Sequence, residues 1–342
     1  MTLIRVQSLV RGFLQRRKYR ILKMTSEVQS KYFKSDEARE TLDGAYTDST
    51  PLKRRVHTYK TGAIYTGQWK GGLRHGRGSM VWPDNARYEG DWQFNQACGA
   101  GKFFHTDGDI YDGQWLNNKA NGYGIYTNVK GARYEGHWKE DQQHGQGVET
   151  WPEGAKYEGE YSMSKKEGTG TYTWADGSTY HGQWLDNKIN GFGEYLWKDG
   201  RKYYGQWAAN DMQGHGIYIY ADGVRYDGSY LNDKKEGYGT YLWTDGRRYE
   251  GWWHKGKQHG LGTYIDQQKA SVKYGLWENG KRVKWFDEAA TILINQGRFD
   301  VSGSFNDERS AQALKPNCTF KKPDGFEDAL RQVRHVLNIK WP

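Results

Sequence analysis

Large rings and polar residues alternate along this chain with a period of two. In the stretch YEGDW, Tyr88, Gly90 and Trp92 share one parity while Glu89 and Asp91 take the other. Residues of one parity in a strand point to one face of its sheet. After a turn around residues 95–97, Gly99, Gly101, Phe103 and His105 again share a parity, and later copies read Gly168, Gly170, Tyr172, Trp174 and Gly191, Gly193, Tyr195, Trp197. Each unit therefore predicts two short strands. The first tyrosine of the phrase stands at Tyr65, Tyr88, Tyr111, Tyr134, Tyr157, Tyr180, Tyr203, Tyr226 and Tyr249, always 23 residues apart. A degenerate tenth copy follows one residue late, with Gly275 and Trp277 kept and Lys273 in the tyrosine slot. A fixed period of this size marks a repeat array.

Glycine inside a strand marks a place where something bulky approaches the backbone. Every unit supplies both rings and bare glycines on one face, so the rings of one unit are expected over the glycines of the next. Asp-Gly pairs at Asp107-Gly108, Asp176-Gly177, Asp199-Gly200, Asp222-Gly223 and Asp245-Gly246 are hairpin signals, because such turns need φ > 0. Hairpin after hairpin gives one long antiparallel sheet.

Composition agrees. Hydrophobic residues make up 36% of the 342 and mean hydropathy is −1.01, too little for a large aliphatic core. The 16 Trp and 26 Tyr supply the buried area instead, at low side-chain entropy cost and with tolerance of a wet edge. Two cysteines, Cys98 and Cys318, make no disulfide framework, which suggests a reducing compartment. No apolar run approaches the ~20 residues that span a bilayer, and the basic N-terminus lacks the apolar core of a secretory signal. A cytosolic or connected compartment is the expectation.

Tyr-x-Gly-x-Trp followed by a loop and then His-Gly-x-Gly or a variant resembles the MORN (membrane occupation and recognition nexus) repeat, over about residues 57–282. The family implies an elongated, single-layer, mainly β fold of consecutive hairpins. Two strands per unit at ~4.7 Å spacing would carry the array to roughly 90 Å. A repeated phrase offers the same chemistry in every copy, which suits an extended binding face. The expected partner groove is the ladder Trp69, Trp92, Trp115, Trp138, Trp184, Trp207 and Trp253, partly packed between units and partly open.

The flanks differ from the array. Residues 4–20 read IRVQSLVRGFLQRRKYR, where Val6, Gln7, Arg11, Gly12 and Arg16 resemble the IQ motif. That resemblance implies calmodulin or a calmodulin-like light chain as partner. A helix over residues 1–24 gathers Val6, Leu9, Val10, Phe13 and Leu14 on one apolar side, the spacing a Met-rich groove takes. Residues 1–56 carry an excess of seven positive charges, residues 57–280 an excess of one negative charge, and residues 281–342 an excess of three positive charges. The basic excess thus belongs chiefly to the N-terminal arm. A nucleic-acid surface would spread basic residues over the binding face among the aromatics, and the array does not. Residues 25–56 read as a linker with a short helix at KSDEARE, and no chemistry is assigned to them. In residues 283–342, FDEAATILI predicts a helix ending near Gly297. A second helix, capped by Asp324, places Phe326, Leu330, Val333 and Leu337 on one side, either to cover the open sheet edge or to dock on a partner.

No catalytic or metal set emerges. His75, His144 and His259 fill one turn position, but Cys98, Asn121, Glu167, Asn190, Gln213 and Glu236 fill it in other units. A position so tolerant is a turn surface. The Gly-x-Gly pairs lack the strand, lysine and helix of a phosphate loop. No cofactor is expected. Long arrays of this type resemble components of ciliary axonemal complexes such as radial spokes, so the expected function is a non-catalytic axonemal adaptor. Membrane or phosphoinositide tethering is the alternative, which the near-neutral array disfavours because anionic lipid attracts clustered Lys and Arg.

Overall fold

The computed structural model describes residues 31–33, 47, 49–295, 325, 327–329 and 331–332. The IQ residues Val6, Gln7, Val10, Arg11, Gly12, Phe13, Leu14 and Arg16 lie outside them, as do Phe326, Leu330, Val333 and Leu337. Twenty-one strands form antiparallel sheet in sequence order, as consecutive hairpins. Two compact units are distinguished, one containing residues up to Ala175 with Trp184–Asn187, the other Asp176–Gln183 and the residues from Lys188 onward.

In the first unit, the strands Arg87–Gln93 and Gln96–Phe104 show how a repeat closes. Gln93 pairs with Gln96 and Trp92 with Ala97, after which the register shifts so that Gly90 faces Gly101 and Tyr88 faces Phe103. The turn is Phe94-Asn95, with φ of 51° and 68°. It lies one residue earlier than the spacing suggested. Two residues with positive φ make the turn that matches strand twist. Asp107-Gly108 closes the wider loop that follows, with the Gly108 N–H on the His105 carbonyl at 3.0 Å and the His105 N–H on the Asp109 carbonyl at 2.8 Å.

The register shift is a bulge that the period-two pattern hides. Cys98, Gly99 and Ala100 face Asp91 alone, and Gly99 takes a φ of 77°. The Asp91 carboxylate accepts the Ala100 N–H at 3.1 Å. In other repeats Gln114 and Gln206 do the same for Tyr123 and His215, at 2.8 and 2.7 Å. Bulges strengthen local twist, and here one recurs per repeat.

The tyrosine explains the glycines. A Cβ built on Gly90 or Gly101 would lie 2.5 or 2.3 Å from the Tyr88 hydroxyl oxygen, so the ring lies flat on the two facing glycines. These glycines belong to its own repeat, whereas the sequence suggested those of the next. The hydroxyl donates to the Asp91 carbonyl at 3.0 Å. Tryptophan makes the contact between repeats: Trp92 Nε1 donates to the Gly78 carbonyl at 3.2 Å. A second link runs through the turns. The Asn95 side-chain oxygen accepts the Arg74 N–H at 2.7 Å while its own N–H reaches the Arg74 carbonyl at 3.1 Å. Asn118 clasps Ala97, and Asp141 clasps Ala120, in the same way.

The second unit repeats these contacts. Tyr203 lies over Gly205 and Gly216, and Asn210 and Asp233 clasp Ile189 and Met212 at 2.8 and 2.7 Å. At its end, where Lys273 replaces tyrosine, a Cβ on Gly275 would meet the rings of Trp277 and Trp285, each at 2.9 Å, so Trp285 takes the missing ring's place. The helix Glu288–Asn295 starts at Asp287, whose carboxylate accepts the Ala290 N–H at 2.7 Å. It lays Ile294 on a cluster with Leu261, Leu276 and Phe286.

Substitution of Gly193 by alanine places a Cβ 2.3 Å from the Tyr180 hydroxyl oxygen and is expected to cost roughly 1–3 kcal/mol by overpacking. Urea denaturation of Gly193→Ala, Tyr180→Ala and the double variant checks it. The double variant should be more stable than the sum of the two losses implies, by about 1 kcal/mol or more, whereas strict additivity contradicts a direct contact.

Candidate partner-binding surfaces

The sheet has an aromatic face and a charged face. On the aromatic face the ladder tyrosines meet neighbouring rings edge-on, tryptophans in most repeats and Tyr161 or Tyr230 where tyrosine fills the tryptophan slot. Tyr88 stands 5.1 Å from both Trp92 and Trp115, at interplanar angles of 89° and 81°. In the second unit Tyr226 stands 5.1 Å from Trp253 at 79°. This T-shaped geometry is the favoured one for ring pairs. Trp69, Trp92, Trp115, Trp138, Trp184, Trp207 and Trp253 are in consequence only 1–6% exposed. The expected open groove over these rings is not found, because translation by one repeat brings each ring against the next.

A second tier of rings stands outside the ladder. In the second unit it runs Trp197, Tyr218, Tyr220, Tyr241, Trp243, with successive centroids 5.4, 4.7, 6.1 and 4.9 Å apart; Tyr218 is buried and the other four are half-buried. In the first unit the equivalent tier is covered at Trp82, Phe103 and His105 by the chain itself. Tyr32 packs on Trp82, Phe103 and His105 at 5.2, 5.4 and 5.8 Å. Phe33 sits among Trp82, Tyr88, Trp92, Phe103 and Trp115 at 5.4–6.2 Å. Asp84 holds the segment by charge, accepting the Tyr32 hydroxyl at 2.9 Å and pairing with Lys31 at 2.7 Å. Sequence reasoning gave this stretch no role. The available signal was an adjacent pair of rings in an otherwise polar linker.

The residue under each tryptophan, two after the turn, varies most on this face: Arg74, Ala97, Ala120, Gln143, Lys166, Ile189, Met212, Lys235. Its chemistry follows its neighbours. Where Glu149 stands in place of the usual ring, Lys166 pairs with it at 2.9 Å and Tyr161 donates its hydroxyl to the same oxygen at 3.0 Å. Lys235 lies over Tyr220, Tyr226, Tyr241 and Trp253 at 4.6–5.3 Å. Burial pushes its ammonium down to about 8, while the ring faces favour the charged form.

The charged face carries exposed cross-strand pairs such as Arg77 with Asp91 and Lys102 with Asp112, at 3.0 and 3.2 Å. Exposed pairs of this kind contribute little stability. They flank a groove of about 830 Å³ whose lining includes Arg54, Glu89 and Gly101. No cluster of three His, Cys, Asp or Glu residues suited to an ion occurs among the described residues. Burial lowers the pKa of the His75 and His259 imidazoles. No helix of the described residues is long and apolar enough to cross a membrane.

Nine segments match the family model for the MORN repeat: residues 65–87, 88–110, 111–133, 134–156, 157–179, 180–200, 203–225, 226–247 and 249–268. No curated protein sequence matches the chain. Among solved structures, the SAS-4 (dCPAP) TCP domain of Drosophila melanogaster, in complex with a proline-rich motif of Ana2 (dSTIL), is 14% identical over 54% of this chain and 94% of that one, with a TM-score of 0.29. The G-box domain of the microcephaly protein CPAP is 12% identical over 59% of this chain and all of that one, with a TM-score of 0.34. Scores this low bear on neither fold nor function.

The ladder tyrosines set an alkaline limit. Burial raises the pKa of Tyr65, Tyr88, Tyr111, Tyr134, Tyr157, Tyr203 and Tyr226 above the ordinary value of 10.0. A raised pKa in the fold means the unfolded chain gives up these protons first, so stability is full below pH 10 and falls as pH rises beyond it. Absorbance at 295 nm should show these phenols ionising only together with loss of the far-ultraviolet circular dichroism. Ionisation with an ordinary midpoint and unchanged dichroism would refute their burial.

Proposed function

The chain belongs to the MORN repeat family, and from that premise we propose that it is a non-catalytic structural adaptor of the ciliary axoneme, in a radial-spoke-like or other microtubule-associated complex. Its repeats suggest a protein-binding structural array. The observation that carries this reading is the division of labour within the repeat. The tyrosine and glycines that recur in each copy are spent on packing, while residues that differ from copy to copy occupy turns, the outer tier of rings and the charged face as well as the position under each tryptophan. An array of that kind presents a long series of similar sites to other chains and concentrates no chemistry at one point.

In this proposal the N-terminal arm supplies regulation. The match of Val6, Gln7, Arg11, Gly12 and Arg16 to the IQ pattern supports a helix that seats calmodulin or a calmodulin-like light chain. The arm's positive excess suits such an acidic partner. Membrane or phosphoinositide tethering is the competing outcome, and its only support is the same basic arm.

Fractionation of ciliated cells separates the two. The tagged chain should stay with demembranated axonemes through a high-salt wash, and release into the detergent fraction would favour tethering. In parallel, Gln7→Ala, Arg11→Ala and Arg16→Ala combined should abolish capture by calmodulin and leave the thermal transition of the repeats unchanged. Undiminished capture would remove the IQ assignment.

A further inference from the structure

The first unit shows what kind of segment the outer tier accepts. Tyr32 is 1% exposed, flat among Trp82, Phe103 and His105, with its hydroxyl and the Lys31 ammonium both on Asp84. Six repeats later the same positions are Tyr220, Tyr241, Trp243 and Asp222. The three rings remain half-buried there and Asp222 is exposed. Its neighbours along the tier are already paired, Asp199 with Arg201 at 2.7 Å and Asp245 with Arg247 at 2.6 Å. Asp222 has no ion-pair partner among the described residues; one carboxylate oxygen accepts the Val224 N–H at 3.1 Å, and no other hydrogen bond of the carboxylate is found among those residues.

We propose that Tyr220, Tyr241, Trp243 and Asp222 form a docking site for an extended protein segment in which a lysine or arginine is followed directly by tyrosine. The aromatic side chain would stack on the tier as Tyr32 does, and its hydroxyl and the preceding cation would share the Asp222 carboxylate. Stacking on half-exposed rings and a charge-assisted contact at the rim are the elements of a small interface anchor. Only two residues of the internal segment have a counterpart here. The four rings that hold Lys235, namely Tyr220, Tyr226, Tyr241 and Trp253, are the repeat equivalents of four rings that hold Phe33. Lys235 itself stands where the first unit has Ala97. Its side chain therefore fills the pocket that a following aromatic residue would enter, and restricts the site to the basic-tyrosine pair.

The site deepens the reading of the array as a protein-binding surface and rests on it. The test uses the full chain and a fluorescent peptide with the sequence of residues 28–36, VQSKYFKSD, read by anisotropy. Saturable binding is expected, weakened at least about fivefold by Asp222→Asn and by Trp243→Ala. Asparagine retains an oxygen for the Val224 N–H, so Asp222→Asn reports on binding without disturbing the turn. Lys235→Ala should instead tighten binding at least about fivefold by opening the pocket for the peptide's phenylalanine. Binding indifferent to all three substitutions overturns the proposal. So does a single-stranded oligonucleotide that competes with the peptide, since that gives the tier a different occupant. Failure of peptide binding with axonemal retention intact would remove this site and leave the adaptor reading standing.

Discussion

The fold depends on a ring lying on two glycines. In each repeat the tyrosine occupies volume that any Cβ at the facing glycines would take, so the pairing of Gly90 with Gly101 under Tyr88 fixes register and spacing together. Sheets without an aliphatic core are usually marginal. Here each of the nine full repeats buries a tyrosine and binds its hydroxyl to a backbone carbonyl, which removes the cost of an unpaired buried polar group. The tryptophan edges then tie one such pair to the next, and the turn clasps by Asn95, Asn118 and Asp141 tie the hairpin ends. Interactions of this reach make stability a matter of neighbours.

Much of this was legible in the residues. The 23-residue spacing gave the repeat, parity gave the strands, and Tyr, Gly and Trp on one parity gave the aromatic face. What escaped was whatever depends on three-dimensional closure. Alternation cannot distinguish a continuous strand from one with a bulge that adds an even number of residues, so Gly99 looked like a strand residue. Nor can parity tell a ring over its own repeat's glycines from one over the next repeat's. The seven tryptophans were readable as a row but not as a closed one, since closure depends on the neighbour's approach along the sheet. Tyr32 and Phe33 were invisible because their partners lie some 50 to 80 residues away.

The consequence for function is a division between conserved packing and variable surface within one chain. The outer tier, the turns and the charged face each differ from copy to copy. Sites such as Asp84 with Trp82, or Asp222 with Trp243, arise because the same geometry is filled with different residues. The tier is covered by residues 32 and 33 at Trp82 and Phe103 in the first unit, while Tyr220, Tyr241 and Trp243 stay half-buried in the second.

The most direct test of the tyrosine's role is hydrogen exchange, read by mass spectrometry, in a Tyr111→Leu variant. Tyr111 lies over Gly113 and Gly124 and meets Trp115 and Trp138, each at 5.2 Å. Protection should fall in the strands of residues 110–127 and 133–139 and persist in residues 64–81, because the lost contacts are those of one repeat and its successor. Unchanged protection around Gly113 and Gly124, or an equal loss in residues 64–81, would contradict the account.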